Sequence, residues 1–216
     1  MEKNGNAKDI ALKVASDLLK IEAIRLNKEK PFTWSSGWKS PIYCDNRMSL
    51  SFPDTRTYIK QALADACKAY FPQVESIAGV ATAGIPQGAL VADELNIPFI
   101  YVRSSPKGHG MENLIEGKVV PGQKVVVLED LVSTGGSSLK AAESLVKAGY
   151  EFLGMLAIFT YGFPLADENF AKASIKLHCL SDYSVMLEKA KELGYVSQND
   201  LASLEEWRKD PANWKG

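Results

Sequence analysis

Residues 125–138, VVVLEDLVSTGGSS, constrain the fold more than any other stretch. Val125 to Leu128 is an apolar, largely β-branched run, the pattern of a strand covered on both faces of a parallel sheet. Two adjacent carboxylates follow, Glu129 and Asp130, and then a loop of small residues, Ser133-Thr134-Gly135-Gly136-Ser137. Leu139, Ala142, Leu145 and Val146 next fall on one helical face, with Gly149 as the expected C-cap.

This order of parts makes an anion site with a sugar site beside it. Loop N–H groups and the helix dipole favour a phosphate, and Gly135 and Gly136 let backbone approach it closely. The carboxylates can accept hydrogen bonds from vicinal hydroxyls of a ribose, directly or through a hydrated Mg²⁺. The stretch has neither the GK[ST] of a Walker A loop nor a GxGxxG dinucleotide turn. A strand and turn with a solvated acidic pair is the bland alternative, and it does not require all the parts in this sequence.

The chain has 216 residues, of which 46% are hydrophobic and 24% charged, enough for the core of one α/β domain over residues 1–216. A net charge of −1 gives no nucleic-acid footprint. Cys44, Cys67 and Cys179 are scattered without metal spacing, so they read as buried small apolar residues in a reducing cytoplasm. The N-terminal stretch has no apolar h-region, and no run approaches a membrane span.

Strand and helix patterns alternate around the central stretch. Helices are expected at 7–20, 54–70, 87–95, 164–173, 183–193 and 199–209, and strands at 76–81, 97–102, 152–160 and 175–181. The alternation predicts an α/β fold with a mainly parallel central sheet and helices on both faces. The turn Thr82-Ala83-Gly84 offers a second backbone phosphate site. Tyr161-Gly162-Phe163 falls at the carboxyl edge of the sheet, where open α/β proteins bind ligands. Asp182 is placed to cap the helix after it, and His178, in an apolar run, reads as structural.

Two segments stand apart. In residues 31–50, Phe32, Trp34, Trp38 and Tyr43 interleave with small polar residues, and Ser36-Gly37 marks a hairpin bend. A flap over a planar ring and a small satellite core fit this pattern equally. Residues 103–117 form a polar, glycine-containing lid in which Arg103, Lys107 and His109 can face one side as a clamp on a polyanion.

The central stretch resembles the phosphoribosyl-diphosphate (PRPP) motif of type I phosphoribosyltransferases. FTWSSGWKSPIYCDNR and the lid are similar to the N-terminal hood (about residues 1–50) and catalytic loop of the orotate phosphoribosyltransferases within that family. The resemblance implies transfer of ribose 5-phosphate from PRPP to orotate with Mg²⁺, giving orotidine 5′-monophosphate and pyrophosphate in pyrimidine synthesis. It also implies a homodimer with shared sites. It assigns the ribose hydroxyls to Glu129 and Asp130 and the 5′-phosphate to Ser133 through Ser137, with Leu131 and Val132 inside the PRPP-binding segment. It gives Arg103, Lys107 and His109 to PRPP and catalysis, and Ser133, Lys39 and Tyr43 to orotate. The chain departs from some relatives in having Ala83, Ser104 and Tyr161 where those carry basic residues. Phosphoribosyl transfer to a purine or another pyrimidine, and a PRPP-sensing regulator, are the alternatives. The absence of a basic surfeit and the presence of the lid cations argue against the regulator.

Overall fold

The computed structural model describes residues 2–27, 30–34, 37–105 and 114–214. In chain order the elements are α1 (Glu2–Lys20), β1 (Ile24–Leu26), β2 (Phe32–Thr33), β3 (Lys39–Ser40), β4 (Ile42–Cys44), a 3-10 helix (Asn46–Ser51), α2 (Pro53–Tyr70), β5 (Ser76–Val80), α3 (Gly84–Leu95), β6 (Phe99–Val102), β7 (Ile115–Glu116), β8 (Lys124–Val132), α4 (Gly136–Lys147), β9 (Glu151–Thr160), α5 (Pro164–Lys172), β10 (Leu177–Asp182), α6 (Tyr183–Glu192) and α7 (Gln198–Lys209).

The main sheet has six strands in the order β10-β9-β8-β5-β6-β7, parallel except for the short β7 at one edge. β8 lies inside it, and its apolar run divides between two cores. Val126 and Leu128 pack in the cluster built from α1, α2, α6 and α7, while Val125 and Val127 pack in the cluster with α4 residues Ala141 and Leu145. All four are fully buried, as a strand covered on both faces requires.

β8 runs further than the sequence implies. The acidic pair was expected after the strand, yet the strand continues through it to Val132. The cause is the neighbour on one side: β9 pairs with β8 as far as Val132↔Thr160. On the other side pairing with β5 ends at Gly79↔Leu128. Glu129 to Val132 therefore form a strand end with one edge open. Likewise α3 begins at Gly84, directly after the turn, rather than at Gln87. Asp182 caps α6 as expected, its Oδ1 accepting from Ser184 N at 2.8 Å and Val185 N at 3.0 Å. His178 stacks on Tyr70, ring centroids 3.8 Å apart.

The hood is two small antiparallel pairs, β1 with β4 and β2 with β3. Gly37, between β2 and β3, has φ +86°, a conformation that favours glycine at the bend. No helix among the described residues is long and apolar enough to cross a membrane.

Candidate active site at the carboxyl edge of the sheet

The acidic pair is asymmetric. Glu129 is 4% exposed, and its carboxylate is engaged within the protein: Oε1 accepts from Asp130 N at 3.1 Å and Oε2 from Ser138 Oγ at 3.1 Å. Asp130 is half-buried, on the following residue of the strand and so on its other face. Burial, and then the neighbouring Asp130 carboxylate, push the Glu129 carboxyl well above the usual carboxylate range. Burial raises Asp130 as well, opposed by hydrogen bonds from Glu129 and the backbone and by the Arg47 guanidinium. Two buried acids side by side hold a proton readily, and a cation or hydroxyl donors brought to Asp130 would favour its ionised form.

Two helix N-termini flank this pair. α4 starts from Gly135, which has φ +81°, and no side chain caps it. The first-turn N–H groups of α4 are thus available to an anion. The loop before it is braced by α5: Asn169 Nδ2 donates to Thr134 O at 3.0 Å, and a Cβ on Gly135 would meet Phe170 Cε2 at 2.6 Å. α3 likewise follows its N-cap residue Ala83 with no side-chain cap. Its Gly84 lies against the acidic strand, where a Cβ would meet Leu128 O at 2.5 Å. Only glycine lets this turn come so near the carboxylates.

Beside the loop is a cavity of 570 Å³ lined by Thr33, Trp34, Trp38, Tyr43, Cys44, Leu131, Ser133, Thr134 and Tyr161. Hood and sheet edge together make its walls. The hood aromatics are both cavity wall and satellite core. Trp34 lies 5.0 Å from Tyr161 and 5.6 Å from Trp207 of α7, centroid to centroid. Trp207 is fully buried and donates from Nε1 to Lys39 O at 3.2 Å, so the C-terminal helix anchors the hood. Tyr161 is 2% exposed, and burial holds its phenol protonated well above the ordinary range.

The sequence-derived candidates divide as follows. Ser133 and Tyr43 line the cavity; Lys39 does not, but its Nζ donates to Oγ1 of Thr33, a lining residue, at 2.8 Å. Leu131 also lines it. The Val132 side chain is buried in the core at 1% exposure, leaving only backbone toward the loop. Arg103 directly follows β6, at the root of the lid, its Nη1 3.3 Å from Glu116 Oε1. Lys107 and His109 lie outside the described residues. Of the three cysteines expected to be buried, Cys67 is, while Cys44 and Cys179 are half-buried, and Cys44 faces the cavity. Asn46, Gln87 and Trp207 were given no role from sequence: Asn46 is one polar residue of the 31–50 segment, and Gln87 and Trp207 are a polar and an aromatic residue within otherwise ordinary helices.

Among the described residues no three His, Cys, Asp or Glu side chains cluster to hold a metal ion. A cation here would need most of its ligands from elsewhere.

The model of the phosphoribosyl transferase domain matches residues 53–176, from α2 to the start of β10. The chain is 59% identical over 202 residues to the orotate phosphoribosyltransferase of Cytophaga hutchinsonii, covering 94% of this chain and 97% of that one. The chain belongs to the orotate phosphoribosyltransferase family. The family member of Streptococcus pneumoniae is 53% identical over 206 residues, covering 95% of this chain and 98% of that one. Among solved structures, the orotate phosphoribosyltransferase of Aeropyrum pernix superposes with a TM-score of 0.74 at 31% identity, over 85% of this chain and 99% of that one. The family accounts for the six-stranded, mainly parallel sheet and for the acidic strand end between two turns.

Proposed function

We propose that the protein transfers ribose 5-phosphate from PRPP to orotate, forming orotidine 5′-monophosphate and releasing pyrophosphate. The observation that carries this is the half-buried Asp130 between two uncapped helix N-termini, with an aromatic cavity alongside. PRPP has the matching parts: a ribose diol between a 5′-phosphate and a pyrophosphate. The 5′-phosphate takes the Ser133–Ser137 loop and α4, the pyrophosphate takes the Ala83–Gly84 turn and α3, and Asp130 takes the hydroxyls. The base enters the cavity between Tyr43, Trp34 and Ser133.

The reaction is substitution at the anomeric carbon with oxocarbenium character as pyrophosphate departs. As the C1′–O bond to pyrophosphate breaks, orotate N1 bonds C1′ and its proton passes to the departing pyrophosphate or to water, so the chain need supply no strong base. Its residues act by position and by charge. The backbone turns hold the sugar fixed at both ends. Arg103, Lys107 and His109, as the lid closes, place positive charge on the leaving group and keep water from the sugar. Mg²⁺ would come with PRPP, beside the Asp130 carboxylate, and its chemistry would be to neutralise the pyrophosphate. The lid acts across a homodimer, each subunit giving Lys107 to its partner. Free Cys44, Cys67 and Cys179 fit a reducing cytoplasm.

A competition assay offering orotate, uracil and purine bases with PRPP tests the base assignment. Selective consumption of orotate is the expected result. Consumption of a purine or of uracil in its place would assign the cavity to that base, and no consumption with intact PRPP binding would favour a sensor.

A further inference from the structure

The open edge of β8 is closed by a side chain from the hood. Asn46 Nδ2 donates to Asp130 O at 2.7 Å, across 84 residues of sequence. Asn46 is 1% exposed and is the first residue of the 3-10 helix that follows β4. Its amide orientation is fixed by chemistry, because the flipped form would set oxygen against the Asp130 carbonyl.

Two further bonds radiate from the same residue, and a third continues from Ser49. Cys44, in the cavity wall, has its Sγ 3.4 Å from Asn46 Oδ1. Burial, with Asp130 and Asp45 adding to it, keeps that thiol protonated and therefore a donor. Ser49 Oγ donates to Asn46 O at 2.7 Å, and Gln87 Nε2 donates to Ser49 Oγ at 3.3 Å. Ser49 is fully buried and Gln87 is 2% exposed, in the first turn of α3. A continuous buried chain thus joins the base cavity, the backbone of the diol-binding acid and the helix at the second turn.

We infer that Asn46 is a positioning residue, which holds Asp130 in register with both the base cavity and the α3 turn. This rests on the function proposed above. The mechanism is local: with β5 gone from that edge, the Asp130 peptide has no strand partner there, and Asn46 sets where the peptide, and hence the carboxylate, stands. Displacement of a reacting group by about 1 Å costs on the order of a hundredfold in rate.

Asn46→Asp tests this. The variant is isosteric and keeps the acceptor for Cys44. Ionised, it sets a carboxylate oxygen against the Asp130 carbonyl; protonated, its O–H can donate as the amide did. The titratable and charged groups around it are Cys44, Asp45 and Arg47 on its own segment and Glu129 and Asp130 on β8. Wild type carries them all, so the ratio of variant to wild-type kcat isolates the new carboxyl. We expect that ratio to fall by about a hundredfold at alkaline pH and to recover as the pH is lowered and the new carboxyl, raised by burial, takes up its proton. With both proteins confirmed folded by circular dichroism at every pH, a ratio that is flat with pH would overturn the inference, and so would a fall matched by loss of folded protein. Ser49→Ala is a second variant that severs only the α3 arm. It should raise the KM for PRPP while leaving the KM for orotate alone, and unchanged PRPP kinetics would remove that arm. Calorimetric PRPP affinity of each variant, as a function of pH, gives the same comparison without the base. If wild type fails to turn over orotate, the proposed function falls, while the PRPP titrations still decide the role of Asn46.

Discussion

Ser138 Oγ donates to Glu129 Oε2 at 3.1 Å, tying the first turn of the phosphate helix to the buried acid of β8. The bond makes Glu129 part of the frame, with a carboxyl held toward its protonated form by burial and by Asp130. A carboxyl whose folded pKa lies above its unfolded one binds more protons in the native state. Its stabilising contribution is complete below the ordinary carboxylate range and is lost as pH rises toward the raised value. Each unit of such a shift is worth about 1.4 kcal/mol. Glu129→Gln, which stays neutral, should therefore raise the melting temperature of the ligand-free protein at pH 8 more than at pH 5. Equal shifts at the two pH values would show that Glu129 is not held protonated.

Asp130→Asn should act differently. An amide accepts fewer hydrogen bonds from a diol than a carboxylate does. PRPP affinity and turnover should both fall, by more than in Glu129→Gln, without loss of thermal stability. PRPP titration and steady-state rates of the two variants make the comparison, and wild-type values for Asp130→Asn would leave the acid a structural group only.

Gly84→Ala probes the second turn. The new Cβ would meet Leu128 O at 2.5 Å, backbone that cannot swing aside as a side chain would. Overpacking of this kind costs about 1–3 kcal/mol. The displaced turn should also weaken pyrophosphate binding in the reverse reaction. Denaturant unfolding and product inhibition by pyrophosphate measure the two effects, and a variant matching wild type in both would mean the turn has room to move.

Much of this was legible in the sequence. The apolar run of β8, the acids and the glycine loop each carry a local signal, because a buried strand and an anion-binding turn are built from neighbouring residues. What the sequence concealed is non-local. β8 persists beyond Asp130 because β9 stays beside it to Thr160, which no property of the EDLV stretch reveals. Asn46 reads as an ordinary polar residue until the pairing of β5 with β8 is seen to end at Leu128. Trp207 reads as the apolar side of a terminal helix until it is found beneath Trp34. The lid cations Lys107 and His109 were read from sequence and lie outside the described residues.

The hood's dependence on α7 gives a further test. Trp207 is fully buried and touches Trp34, Tyr161, Phe163 and Tyr183. Truncating a buried tryptophan to alanine costs about 3–5 kcal/mol. Trp207→Phe keeps most of the packing and loses the bond to Lys39 O, so it should fold and bind PRPP normally while orotate affinity drops. Separate calorimetric titrations with the two ligands would show it. Equal weakening of both would make the cluster a general part of the core.

The central claim is that this site joins orotate to the ribose of PRPP. The most direct measurement is the ultraviolet absorbance of orotate on mixing it with the protein, PRPP and Mg²⁺. The account predicts a decrease that needs all four components, is reversed by excess pyrophosphate and is strongly slowed in Asp130→Asn. An absorbance that stays constant with folded, PRPP-binding protein would contradict it.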